Sequence, residues 1–160
     1  MSNRNHNGRS DGPPDVSTGY HLGDLRPDPA NTRRHNPRNI GMIVDAIHEV
    51  GAARSIVIDE NNIILAGNGV VEAAAEAGIE RVQVVDADGE TIIAVRRIGL
   101  TEKQKKRLAL FDNRTSDLSA FDPEALAEIA VSDKDLLDNL FTTEELGKLL
   151  AGVNLNDPIE

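Results

Sequence analysis

The sequence predicts an α+β fold: a small sheet with helices packed against it, followed by a short C-terminal helical extension. Three observations point there. Short β-branched runs (Ile56-Val57-Ile58, Ile63-Ile64-Leu65, Arg81-Val82-Gln83-Val84-Val85 and Thr91-Ile92-Ile93-Ala94-Val95) alternate with segments of helical period. The run from Ile63 to Gly78 passes from an apolar strand through a Gly67-Asn68-Gly69 corner into an alanine-rich helix. From residue 122 onward the chain is acidic and carries helix-start signals but no strand pattern.

Residues 1–20 are rich in Asn, Gly, Ser, Pro and Asp without an apolar period, and are predicted to form a disordered or loosely draped leader. A short extended piece is expected from His21 to Leu25. Pro27, Pro29 and Pro37 then exclude a regular helix. Residues 31–38 gather Arg33, Arg34, His35 and Arg38, either as a solvated loop or as a cationic lip for phosphate. Met42, Ile43, Ala46, Ile47 and Val50 share one face of a helix predicted from Ile40 to Val50, closed by Gly51. The polar turn Asp59-Glu60-Asn61-Asn62 joins two β runs into a hairpin, and Asp86-Ala87-Asp88-Gly89 marks a second turn. Thr101 and Gln104 stand at capping-box spacing before a helix expected to reach about Phe111, with Lys103, Lys105, Lys106 and Arg107 on a solvated face. Asp122-Pro123 opens another helix, a helical turn or two follows between Asp133 and Leu140, and Thr142-Thr143-Glu144-Glu145 starts a last helix ending near Gly152. The predicted division is a leader (1–20), a core domain (21–121) and an acidic helical extension (122–160).

The formal net charge is −10, with 28% charged residues, which argues against a chain coated in basic charge for nucleic acid. The charge is uneven, however. Residues 1–40 hold six arginines against four aspartates, whereas residues 122–160 hold ten acidic side chains against Lys134 and Lys148. The absence of cysteine excludes disulfides, thiolate zinc sites and cysteine nucleophiles. No apolar signal core stands near the N-terminus and no run approaches ~18 apolar residues, so a cytoplasmic chain that spans no membrane is expected. Tyr20, Phe111, Phe121 and Phe141 are too few to build a base-stacking platform.

The histidines are His6, His21, His35 and His48; none stands at metal-ligand spacing with another, and no serine occupies a nucleophile elbow. No metal site is assigned. Asp86 with Asp88, or Asp112 with Asn113, would suit magnesium beside a nucleotide, or be simply a turn and a helix end. The glycine corner is the remaining candidate. A helix start there aims backbone N–H groups into open space, which suits an anion, and glycine permits both the sharp turn and close approach. A tight strand-to-helix turn without a ligand gives the same pattern.

The order of these features, from the Arg-rich loop to Asp112-Asn113-Arg114, resembles the ParB/sulfiredoxin superfamily, specifically its ParB-like N-terminal domain of the phage- and methyltransferase-associated type. The resemblance rests on the loop from Pro29 to Arg38, the helix end Ala46-Ile47-His48-Glu49-Val50-Gly51, the run Ile56-Val57-Ile58, and Leu65 through Ala74 closing at Ala77-Gly78. Phe111-Asp112-Asn113-Arg114 with Phe121-Asp122 looks like a later family element. It covers about residues 21–130.

The resemblance implies a small mixed sheet with packed helices and a nucleotide or phosphate site at Gly67, Asn68, Gly69 and Glu72. Arg33, Arg34 and Arg38 would serve that site, with Asp112, Asn113 and Arg114 as a secondary set. CTP or ATP with magnesium is the implied ligand. The implied role is a module binding a nucleotide or DNA phosphates in partition, modification or phage-related regulation, with nucleotide hydrolase or nuclease activity in the family. No catalytic residue is assigned, because Asn68, Gly69 and Val70 stand where the partition proteins carry a Glu and two Args, and Glu72 where a basic residue often stands. Asn68 also takes the place of the sulfiredoxin cysteine, which excludes sulfinic-acid repair. Each lost charge-assisted hydrogen bond forfeits on the order of 1.5–3 kcal/mol. A degenerate protein-interaction or regulatory domain is therefore the alternative. A small-molecule phosphotransferase, with Glu72 or Asp112 as base, ranks last.

Overall fold

The computed structural model describes residues 16–118, 120–132, 137 and 140–153. Strand β1 (Val16–His21) pairs antiparallel with β6 (Arg81–Val85), through an irregular register between Ser17 and Tyr20. Residues 16–20 thus leave the expected leader and join a sheet. Val16, Thr18 and Tyr20 favour a strand but stand among polar and turn residues, and the partner that orders them is some sixty residues away. The piece expected to be extended at 21–25 contains instead a 3-10 turn, Leu22–Asp24, with the Asp24 carboxylate accepting the His21 N–H.

The central sheet is small and mixed. β2 (Arg26–Pro27) runs parallel to β5 (Ile63–Ala66), and β4 (Val57–Ile58) pairs antiparallel on the other side of β5. Pro27 is tolerated because β2 is an edge strand. The predicted hairpin turn is held by the Asp59 carboxylate, which accepts N–H bonds from Asn61 and Ile63. Those bonds hold its pKa below the ordinary carboxylate value. A third ladder, β3 (Arg33–Arg34) with β7 (Ala120–Phe121), ties the arginine loop to a segment far along the chain.

Helix α1 (Pro37–Val50) starts three residues earlier than the periodicity suggests. Asn36 caps it by accepting the Asn39 N–H, and Pro37 occupies the first turn, where no donor is needed. Gly51 ends it at φ 78°, with its N–H on the Ile47 carbonyl. Its apolar face, Ile40 and Ile43, packs against Ala73 of α2 (Asn68–Glu76), with Val44 and Ile47 alongside. Alanine at 73 lets the two helices approach closely. Burying each isoleucine contributes about 1.5–3 kcal/mol.

Helix α3 (Glu102–Leu118) also packs on α1 and runs seven residues past the expected end. No glycine or proline interrupts it, so Asp112, Asn113 and Arg114 sit inside a helix rather than at its end. The Thr101–Gln104 capping box forms as expected. Arg107 grips Glu49 of α1 through two bonds of 2.9 and 3.0 Å. α4 (Pro123–Ser132) is capped by Asp122, and α5 (Thr143–Leu149) by a Thr142–Glu145 capping box. The helical turn expected at 133–140 falls largely outside the described residues.

The run Thr91–Val95 is not a strand. After β6 the chain from 86 to 101 has no regular secondary structure and pairs with none of the described strands. The Asp88 carboxylate accepts the N–H groups of Glu90 and Thr91, which turns the chain at the start of this segment. A β-branched run makes a strand only where a ladder partner meets it.

Candidate functional site

The turn from β5 into α2 is built on two glycines, each needed for a different reason. Gly67 caps α2 at φ 95°, in the left-handed region, and a Cβ there would lie 2.6 Å from Ile56 Cγ2. Gly69 is buried under the His35 ring, whose Cε1 and Nδ1 would stand 2.8 Å from any Cβ. Both close approaches are filled by this chain's own side chains. No side chain of the described residues caps α2, and Gly67, Asn68 and Gly69 at its start line the adjoining cleft, at the positive end of the helix dipole.

That cleft has a volume of about 550 Å³. Its wall includes Gly67, Asn68 and Gly69, with Arg33, His35, Asn39 and Arg54 around them and Thr115 and Phe121 opposite. The corner and the arginine loop therefore meet. Arg33 lays its guanidinium 4.7 Å over the Phe121 ring. Arg54 donates to the Thr115 hydroxyl at 2.9 Å and pairs with Asp112 at 2.8 Å, which fixes its planar head against α3. Thr115 is 4% exposed and its hydroxyl in turn donates to the Phe111 carbonyl. Asp28 also lines the cleft, but its carboxylate already accepts the Ala30 N–H. The cationic groups outweigh it.

Two oxygens on this wall are buried without a hydrogen-bond partner among the described residues: Asn39 Oδ1 and Asn68 Oδ1. Asn39 is 1% exposed and its amide nitrogen lies 3.3 Å from His35 Nδ1. Asn68 donates its amide to the Ile64 carbonyl at 3.3 Å. A buried acceptor without a donor costs about 1–3 kcal/mol, a cost that a ligand donor or a water would offset. Burial pushes the His35 pKa below the ordinary imidazole value; Glu72 opposes that and the neighbouring Arg33 adds to it.

The other candidate residues lie elsewhere. Arg34, next along β3, faces away from the cleft and binds Asp122 at 2.7 Å and Glu124. Successive residues on a strand point to opposite sides, so Arg33 and Arg34 cannot serve one pocket from β3. Arg38, on the first turn of α1, and Glu72, on the second turn of α2, are exposed and off the cleft wall, although Glu72 acts on His35 through its charge. Asp112 reaches the site only through Arg54, and Asn113 and Arg114 sit on the exposed side of α3. Among the described residues no group of three or more His, Asp or Glu could hold a metal ion, and no helix is long and apolar enough to cross a membrane.

Sequence reasoning missed Arg54, Asn39 and Thr115. Arg54 stands in an unmarked linker between α1 and β4, and Asn39 reads as an ordinary helix residue. A polar residue at a position flanked by core residues (Asn39 beside Ile40) was the one available signal.

No family model matches the chain. It is similar to the ParB-like nuclease domain-containing protein YnaK of Escherichia coli (strain K12), with 31% identity over 86 residues that make up 54% of this chain and 87% of that protein.

Proposed function

The chain belongs to the ParB-like family, and on that premise we propose that it is a module binding the phosphates of a nucleotide or of DNA in DNA transactions. The observation that carries this reading is the convergence on one cleft of the uncapped α2 start, Arg33 and Arg54. In this reading the N–H groups at 68 and 69 hold phosphate oxygens, Arg33 and Arg54 neutralise their charge, and Asn39 and Asn68 accept bonds from ligand hydroxyl or amino groups. Arg38 contributes only long-range positive potential, and the charge of Arg34 is offset by Asp122 and Glu124. CTP or ATP with magnesium remains the ligand to test first, and the phage- and methyltransferase-associated branch of the family the type to which the chain is referred. The core is taken as residues 16–121, the expected 21–121 enlarged by β1, with 122–160 as an extension. No catalytic residue is assigned.

Titration with CTP, ATP and ADP, with and without magnesium, and with duplex DNA at low salt tests the proposal. Binding that weakens on Arg33→Ala or Arg54→Ala is expected. No binding to any of these ligands overturns it.

A second reading is a regulatory or protein-interaction domain that has lost its charged box. It is favoured by the engagement of Arg34 with Asp122 and Glu124 and by the inward bond of Asn68 to Ile64. A stable protein partner captured without dependence on nucleotide distinguishes it from the first.

A further inference from the structure

The stretch after β6 exposes apolar side chains to a degree seen nowhere else among the described residues. Ile92 is 93% exposed and Ile98 86%, with Ile93 and Val95 about half exposed between them. The strip is held out rather than loose. At its start the Asp88 carboxylate takes the N–H groups of Glu90 and Thr91. At its end Arg97 reaches back to the Ala52 carbonyl at 2.9 Å and packs on Gly51 at the end of α1. Between these two anchors lies a run of high β propensity that no described strand pairs.

We propose that residues 90–96 pair antiparallel with the same residues of a second copy of this chain, forming a two-fold dimer centred on Ile93. The sequence Glu90-Thr91-Ile92-Ile93-Ala94-Val95-Arg96 is self-complementary in that arrangement. Ile93 meets Ile93, Ile92 meets Ala94, Thr91 meets Val95, and Glu90 meets Arg96 twice by symmetry. Parallel pairing, or a shift by one residue, sets like charges or mismatched faces against each other. Charge therefore selects both the partner and the register. Strand addition supplies main-chain hydrogen bonds, and the exposed isoleucines supply the apolar contact.

Sedimentation of the full chain across a concentration series tests this, with Glu90→Arg, Arg96→Glu and the double variant compared. The chain is expected to associate to a dimer, each single charge reversal to weaken association on the order of tenfold, and the double reversal to restore it. Both positions of change lie on exposed chain, and circular dichroism checks that the fold is kept. Amide exchange at 91–95 gives an independent reading, slowing as protein concentration rises. A monomer at every concentration overturns the proposal, whether the strip is bare or covered by its own chain. So does a dimer indifferent to either single reversal, or one that the double reversal fails to restore.

Discussion

The hairpin-and-corner region (residues 56–78) and the stretch from 86 to 101 are made of the same materials. Each has a run of isoleucine and valine, an aspartate-led turn and glycines with positive φ. Ile64 is 2% exposed, whereas Ile92 is 93% exposed. Gly67 and Gly69 are pressed by Ile56 and His35, whereas a Cβ at Gly89 or Gly99 would meet nothing within 4 Å. In the first region β2 and β4 pair with the run on either side. In the second, no described strand does. Apolar composition supplies the driving force for burial, but a complementary surface decides whether burial happens.

Substitutions that treat the two regions alike should expose the contrast. Gly67→Val combines a β-branched residue at φ 95° with a clash against Ile56, and is expected to cost about 3–5 kcal/mol in denaturant unfolding. Gly89→Ala, strained but in open space, should cost only about 1 kcal/mol. Next in size, Ile64→Ala should destabilise by about 2–5 kcal/mol, while Ile92→Ala in dilute protein should stay within about 0.5 kcal/mol. Equal effects at the paired positions would break the comparison.

At the cleft, Arg54→Ala should weaken phosphate binding by about ten- to a hundredfold, with Arg54→Lys intermediate because the planar head is lost and the charge kept. Calorimetric titration reads both.

The smallest effect is the pH dependence from His35. Its folded pKa lies below the unfolded value, so the unfolded chain binds the proton more readily. The contribution to stability is present above about pH 6.5 and declines as pH falls below that value toward the folded pKa. His35→Asn should flatten the thermal melting profile between about pH 7 and pH 5.5. A wild-type profile that rises on acidification through that window would contradict the assignment.

What could be read in the sequence was what local chemistry determines. The Asp59 turn, the Gly67 cap, the Asp122-Pro123 start and the Thr101 box each involve residues within four positions of one another. β1 was not legible, because Val16–His21 becomes a strand only through β6. Nor was the facing of Arg33 and Arg34, which the distant β7 decides. Arg54 acquires its place from Thr115 and Asp112, about sixty residues on, and carries no motif of its own. The candidate site was therefore half visible: its backbone corner announced itself through glycine, while the side chains around it were recruited by tertiary contacts.

The β3–β7 ladder and the grip of Arg34 on Asp122 and Glu124 have a practical corollary for anyone trimming the chain. A fragment stopped before residue 120 discards the ring on which Arg33 rests, and one stopped at 121 keeps that ring but loses the carboxylates fastening the strand beside it. The shortest piece that retains an intact arginine wall must extend through Glu124.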